Sequence, residues 1–260
     1  MKFSANLGFL FREFALPDAI RAAAKAGFGA VECHWPYDVD PAAVRAALAE
    51  TGMPMLGLNT DVGDRDKGEF GLAAVPGRQR DARQLIDQAV EYAAAIGAAN
   101  VHVMAGRAEG AIARRTFAEN LRYANQRIGD RSIGILIEPL NHRDAAGYFL
   151  RTLEDAVALV DLLGIPRLKV MFDCYHLQIE GGDLLRRYQA SAQEVGHVQF
   201  ASVPERSEPD TGEVAYERLL PALVDAGYGG WLGAEYKPKD GTLAGLGWMK
   251  LFASSNSRFD

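Results

Sequence analysis

A single-domain α/β fold, the (β/α)8 barrel, is what the sequence predicts, on three observations. Short β-type runs alternate with longer helical stretches along the whole chain, eight of each can be marked, and no linker, low-complexity tract or composition shift divides them. The 260 residues suit a barrel built as one unit. With 48% hydrophobic and 24% charged residues, the chain can bury a core large enough to offset its conformational entropy.

The strands are read at Phe3–Leu7, Ala30–His34, Met55–Asn59, Asn100–Met104, Ile133–Glu138, Leu168–Asp173, His197–Ala201 and Trp231–Glu235, each a short apolar run bounded by turn residues. Between and after them the alanine- and leucine-rich stretches predict helices. These lie near Leu16–Ala26, Pro41–Glu50, Arg78–Ile96, Arg114–Ile128, Thr152–Leu163, Gly182–Gln193, Tyr216–Ala226 and Leu243–Phe252. Five of them end at a glycine (Gly27, Gly52, Gly97, Gly164 and Gly227), the residue that closes a helix in the left-handed conformation at least cost. An open doubly wound sheet would carry a phosphate-binding GxGxxG turn after its first strand, and GFLFREF there has none. Residues 1–253 are therefore assigned to one barrel and residues 254–260 to a loose polar tail.

Charge and composition exclude several functions. Twenty-eight basic residues against 34 acidic ones give a net charge of -6, which offers no general attraction for a phosphate backbone, so nucleic acid is not expected as a partner. The two cysteines, Cys33 and Cys174, form no CxxC pair and suggest neither a disulfide framework nor a thiolate zinc site. No run of about 18 apolar residues occurs and the start lacks a secretory signal. No membrane partner and a cytoplasmic location are expected, and self-association into a homo-oligomer stays open.

In a barrel of this kind the chemistry sits at the C-terminal ends of the strands. The last four strands end alike: ILIEP at Glu138, KVMFD at Asp173, HVQFA with Gln199, and WLGAEY at Glu235. A carboxylate that follows an apolar run at such a position is buried, and must be paired or bound to a cation. Three acids together repel one another unless a cation sits among them. Three carboxylates and an amide oxygen make a hard donor set, suited to Mg²⁺ or Mn²⁺ rather than zinc, so Glu138, Asp173, Gln199 and Glu235 are the expected metal ligands. The plainer alternative is that such residues cap the following turns or pair with arginine.

Five further residues are expected near a substrate. His176 lies three residues beyond Asp173, in what reads as a loop above the strand. His102 points the same way as Met104 and approaches the barrel mouth. Lys237 follows Glu235 by two residues and supplies a positive charge for a carboxylate or an enediolate. Arg78 and Arg206 sit in long loops punctuated by proline and glycine, of the kind that form lids. His34 falls in a strand, where a satisfied buried histidine is the common explanation.

With these residues placed, the chain resembles the hydroxypyruvate isomerase family, a branch of the xylose-isomerase-like TIM barrels. The strings that carry the likeness are GLAAVPGR (71–78), VHVMAGR (101–107), IEPLNHRDAAGYFL (137–150), FDCYHLQ (172–178), GHVQFASVPERSEPDTGEVAY (196–216), GAEYKP (233–238) and GLGW (245–248). The resemblance implies Glu138 and Glu235 as the paired proton-transfer residues, and a metal held by these two with Asp173 and Gln199. It also implies hydroxypyruvate converted to tartronate semialdehyde through an enediolate, in glyoxylate and related carbohydrate metabolism. Three other activities are weighed. A sister group acts on 2-oxo-tetronates and shares most of these strings. Ketose 3-epimerases of the superfamily usually carry a histidine where Gln199 stands. A metal-dependent abasic-site endonuclease on the same barrel would want a histidine-rich zinc centre and a basic groove. Phe200 departs from the isoleucine or alanine usual after HVQ, which bears on pocket shape.

Overall fold

The computed structural model describes residues 1–254 of the chain; the expected tail, past Ser254, lies outside the described residues. Eight parallel strands run in the order β2-β1-β8-β7-β6-β5-β4-β3. They are β1 (Phe3–Asn6), β2 (Ala30–Glu32), β3 (Leu58–Asn59), β4 (Asn100–His102), β5 (Gly134–Ile137), β6 (Leu168–Asp173), β7 (Val195–Phe200) and β8 (Leu232–Ala234). The ring closes between β2 and the segment before β3. There Leu56 N–H donates to the Val31 carbonyl (2.7 Å) and Cys33 N–H to the Gly57 carbonyl (3.1 Å). The predicted third strand thus contracts to two residues, because residues 54–57 bond irregularly to β2.

Helices α1 (Leu16–Lys25), α2 (Pro41–Thr51), α3 (Gln79–Ile96), α4 (Gly110–Ile128), α5 (Leu153–Leu163), α6 (Cys174–Glu180), α7 (Leu184–Ala190), α8 (Tyr216–Asp225) and α9 (Gly247–Ser254) surround the strands. Local chemistry sets their ends. The Asp40 carboxylate accepts from Ala42 N–H with Pro41 at the first helical position, and the Thr152 hydroxyl accepts from Asp155 N–H. Gly97 and Gly164 end α3 and α5 at φ 74° and 56°, where a side chain would be strained. The predicted helix Gly182–Gln193 is present as the shorter α7, and α6 precedes it where a loop was expected. The Asp173 carboxylate accepts from Tyr175 N–H (2.9 Å) and starts α6 directly at the strand end, and Gly181 and Gly182 then break it. Among the described residues, no helix is long and apolar enough to cross a membrane.

The main apolar core lies between the strands and the helices, not inside the ring. Alternation along β7 sends Val198 and Phe200 outward into that core and His197 and Gln199 inward. Phe200 packs on Phe3 and Trp248 (ring centroids 6.1 and 5.4 Å), so the departure seen there in the sequence faces the helices and does not shape the pocket. Trp248 of α9 is fully buried against Phe3 and Phe28, with its indole N–H donating to the Tyr236 hydroxyl (3.0 Å).

Replacing Trp248 with alanine is expected to destabilise the fold by about 3–5 kcal/mol, the usual cost of emptying a buried aromatic site. Urea unfolding at 25 °C measures it, and a loss below about 1 kcal/mol would show that α9 does not seal this side of the barrel.

Candidate active site

Glu138, Asp173, Gln199 and Glu235 are all buried, with 7%, 1%, 1% and 6% of their surface exposed. Strand register sets their heights: Asp173 pairs with Gln199 and Gln199 with Gly233, so Glu235 stands one inward step above Gly233. The side chains converge. Ligand atoms of Glu138, Asp173 and His176 lie within 4.8 Å of one another. A single guanidinium nitrogen, Arg206 Nη2, lies 2.5 Å from Glu235 Oε2 and 3.6 Å from Asp173 Oδ2. Gln199 Nε2 is 3.4 Å from Glu235 Oε1.

Two of the acids occupy opposite electrostatic environments. Burial pushes the Glu138 carboxyl well above the ordinary carboxylate range, and the negative charges of Glu235 and Asp173 push it further. Burial also works against ionisation of Glu235, yet the Arg206 guanidinium and the hydrogen-bonded His34 overcome it and hold this carboxyl below the usual range. Its Oε1 accepts from Asn6 Nδ2 (2.7 Å) and lies 3.0 Å from His34 Nε2. One glutamate is thus set to carry a proton and the other to be ionised, the arrangement that acid and base partners require.

The histidines are fixed by their neighbours. His176 Nδ1 accepts from the backbone N–H of Asn141 (3.0 Å), an obligate donor, so the neutral ring carries its proton on Nε2. That nitrogen lies 3.6 Å from Asp173 Oδ2. A protonated nitrogen cannot ligate a metal, so His176 belongs to the cluster by distance and serves as a hydrogen-bond donor. Burial, with the Arg206 charge, keeps the ring neutral. His102 is kept neutral by burial, its pKa lowered to about 4. Its Nδ1 lies 3.2 Å from Asn59 Oδ1, and Nε2 has no hydrogen-bond partner.

The donor set fits a divalent cation. Glu138 Oε1, Asp173 Oδ2 and Gln199 Oε1 are buried oxygens without a hydrogen-bond partner, one on each of three neighbouring strand ends. Buried oxygens left in this way are costly, and a hard cation satisfies them together. The alternative reading of such residues also holds in part. Asp173 Oδ1 caps α6, and Glu235 pairs with Arg206. Asp173 keeps Oδ2 for the cluster, whereas both oxygens of Glu235 are engaged, Oε1 by Asn6 and His34 and Oε2 by Arg206.

Above the carboxylates lies a cavity of about 290 Å³, roughly ten water volumes, walled by Phe9, Trp35, Phe70, Met104 and Leu140 and reached by Glu138, His176, Arg206 and Glu235. Arg206 is its principal cation. The backbone there is left-handed (φ 52°), and the guanidinium is stacked between Phe9 and Tyr175, 4.9 and 4.8 Å from the ring centroids.

Two expected substrate contacts are corrected. Lys237 is exposed and absent from the cavity wall; Tyr236 before it is buried against Trp248 in the outer core, and Lys237 donates its backbone N–H to the Arg206 carbonyl (2.8 Å). Arg78 is held at the start of α3 by Glu69 and Asp81, away from the cavity. His176 stands in the first turn of α6 and not in a loop. Asn6 and His34, which hold Glu235, were not anticipated. The signal was weak, since Asn6 is followed by apolar Leu7 and His34 reads as a satisfied strand histidine.

Comparison with known proteins agrees with this architecture. The family model for the xylose isomerase-like TIM barrel matches residues 20–252. The 2-oxo-tetronate isomerase of Cupriavidus necator is 45% identical over 96% of this chain and 97% of its own. The hydroxypyruvate isomerase of Escherichia coli is 37% identical over 96% and 98%. A crystal structure from Brucella melitensis, titled AP endonuclease, family 2, superposes with a TM-score of 0.92 at 40% identity, over 96% of this chain and 98% of that one. The chain belongs to the xylose isomerase-like TIM barrel family and, within it, to the group of hydroxypyruvate and 2-oxo-tetronate isomerases.

Proposed function

We propose that this chain isomerises a small α-hydroxy-carbonyl acid, hydroxypyruvate to tartronate semialdehyde, by proton transfer through an enediolate. The observation that carries the reading is the pair Glu138 and Glu235, two buried carboxyls held in opposite protonation tendencies at one cavity. The relatives named for these isomerases support the substrate class.

In this reading Glu235, kept ionised by Arg206 and His34, takes the carbon-bound proton beside the substrate hydroxyl. The electron pair moves toward the carbonyl oxygen and gives the enediolate. Glu138 returns a proton to the neighbouring carbon while the hydroxyl proton passes to the former carbonyl oxygen; the proton held by Glu235 is then passed back to Glu138 through solvent to restore the starting state, and the two residues exchange roles in the reverse direction. His176 donates from Nε2 to a substrate oxygen, and His102 accepts a substrate hydroxyl at Nε2. Arg206 holds the substrate carboxylate, its planar guanidinium matching two oxygens. A divalent cation, Mg²⁺ or Mn²⁺, would be held by Glu138, Asp173, Gln199 and Glu235 and would neutralise the charge that develops on the two reacting oxygens. A small acid is then the only partner required. The buried free thiols Cys33 and Cys174 suit the reducing, cytoplasmic setting that goes with the reading.

A second substrate is favoured by one observation: a relative named 2-oxo-tetronate isomerase is 45% identical, against 37% for the named hydroxypyruvate isomerase of Escherichia coli, and the cavity has room for one more hydroxymethylene carbon.

Three outcomes are expected. Glu138→Gln and Glu235→Gln each lower kcat by about 10²–10⁴-fold in a coupled assay, and near-wild-type turnover in either variant removes that residue from proton transfer. Steady-state kinetics give a higher kcat/KM on hydroxypyruvate than on 2-oxo-tetronates, with no incision of abasic duplex DNA; a tetronate value ten times higher transfers the assignment. The third concerns pH. Burial raises Glu138 and lifts Asp173 to about 7, so the folded state retains these protons longer than the unfolded chain. These two carboxyls therefore withdraw stability from the metal-free fold as pH rises from about 4 through about 7, while His102 and His176, kept neutral by burial, add stability over the lower part of that window. Cation binding needs the deprotonated ligands, so saturating Mn²⁺ should raise Tm more at pH 8 than at pH 5. Equal gains at both, read by differential scanning fluorimetry, would take these carboxyls out of the metal site.

A further inference from the structure

Gln199 is the uncharged member of the expected ligand set, and an amide has two unlike ends. Turned one way, it presents a carbonyl oxygen to a cation; turned the other way, it presents an NH2 group that repels one. What decides between them lies one layer deeper in the barrel. Glu32, the last residue of β2, is 4% exposed, and its carboxylate is surrounded by donors. Ser4 Oγ donates to Oε1 (2.9 Å), His197 Nε2 lies 3.1 Å from Oε2, and Gln199 Nε2 donates to Oε2 (2.7 Å).

A carboxylate only accepts, so it fixes which end of the amide faces it. Both N–H bonds of Gln199 are directed at acids, Glu32 and, more distantly, Glu235 (3.4 Å). The carbonyl oxygen Oε1 is left as the amide's one unused polar atom, buried and without a partner. The fold also makes room for this carboxylate. A Cβ at Gly233 would stand 2.3 Å from Glu32 Oε1 and 2.9 Å from His197 Nε2, so a glycine in the middle of β8 is what lets Glu32 and His197 meet beneath Gln199. The burial of the acid is compensated by the imidazole, which keeps the anchor fixed in place.

We propose that Glu32 is a positioning residue for the cation site: by engaging the NH2 group of Gln199 it orients the carbonyl oxygen toward the carboxylate cluster. The proposal rests on the reading of Gln199 as a metal ligand. It assigns Glu32 no contact with substrate or cation, and makes reach, not charge, the property that matters.

Calorimetric titration of the metal-free protein with Mn²⁺ tests this without using activity. Glu32→Gln keeps the reach and a carbonyl acceptor but loses the charge; Glu32→Asp keeps the charge but is one methylene short. The glutamine variant is expected to bind Mn²⁺ within about threefold of wild type and the aspartate variant about tenfold more weakly, the scale typical of residues that orient a metal ligand. In a Gln199→Ala background, itself weakened, Glu32→Asp should have no further effect. A glutamine variant that binds no better than the aspartate variant overturns the proposal, as does an equal aspartate effect with and without Gln199. Should Glu32→Asp fail to fold, Gly233→Ala, whose Cβ would stand 2.3 Å from Glu32 Oε1 and 3.0 Å from Gln199 Cγ, disturbs the pair with its charge retained, and wild-type Mn²⁺ affinity in that variant overturns the proposal. Should Gln199→Ala bind Mn²⁺ as wild type does, the ligand role of Gln199 falls first and the role of Glu32 with it.

Discussion

The constraint on which this structure turns is the confinement of several carboxylates inside one barrel. Glu32, Glu138, Asp173 and Glu235 are all buried, and each would be unstable there alone. The surroundings answer in pairs. His197 faces Glu32, and Arg206 faces Glu235 with help from His34 and Asn6. Glu138 and Asp173 keep a free oxygen each and are pushed toward their protonated forms. The loops after β7 and β8 exist, in this sense, to bring one guanidinium to that place. They are tied to each other through the Lys237 N–H and the Arg206 carbonyl, and through the Lys239 N–H and the Glu208 carboxylate.

This arrangement divides the barrel interior. On β1, β2 and β7 the inward positions are polar: Ser4, Asn6, Glu32, His197 and Gln199. On β5 and β6 they are filled below the site by Leu136 and Met171. The carboxylate cluster thus stands where a hydrogen-bonded floor meets an apolar one. The floor holds the polar side chains in direction, and Phe9, Trp35 and Phe70 wall the cavity above them.

Much of the fold was legible in the sequence because two independent signals coincide, the alternation of periods and the glycine that stops a helix. The four-residue cluster was legible because polar residues close or interrupt apolar strand runs: Glu138 follows β5, Asp173 ends β6, Gln199 stands between Val198 and Phe200 in β7, and Glu235 follows β8. The same criterion passed over Asn6, Glu32 and His34, since Asn6 and Glu32 stand inside the predicted runs Phe3–Leu7 and Ala30–His34 with apolar Leu7 and Cys33 after them, and a strand histidine reads as a satisfied core residue. Their partners are also remote in the chain: Glu235 is 229 positions from Asn6 and 201 from His34. Lys237 was misplaced because the alternation of a strand was extended past its last residue. Arg78 was misplaced because nearby acids, Glu69 and Asp81, claim it first.

Asp173 is committed twice. One oxygen begins the helix that carries His176, while the other is turned to the cluster. Histidine or glutamate, acceptable to many metals, would not start that helix as a short carboxylate does. Chemical diversification of such a site is thereby steered away from β6 and toward Gln199, whose backbone makes no comparable demand, and toward the loops at the barrel mouth.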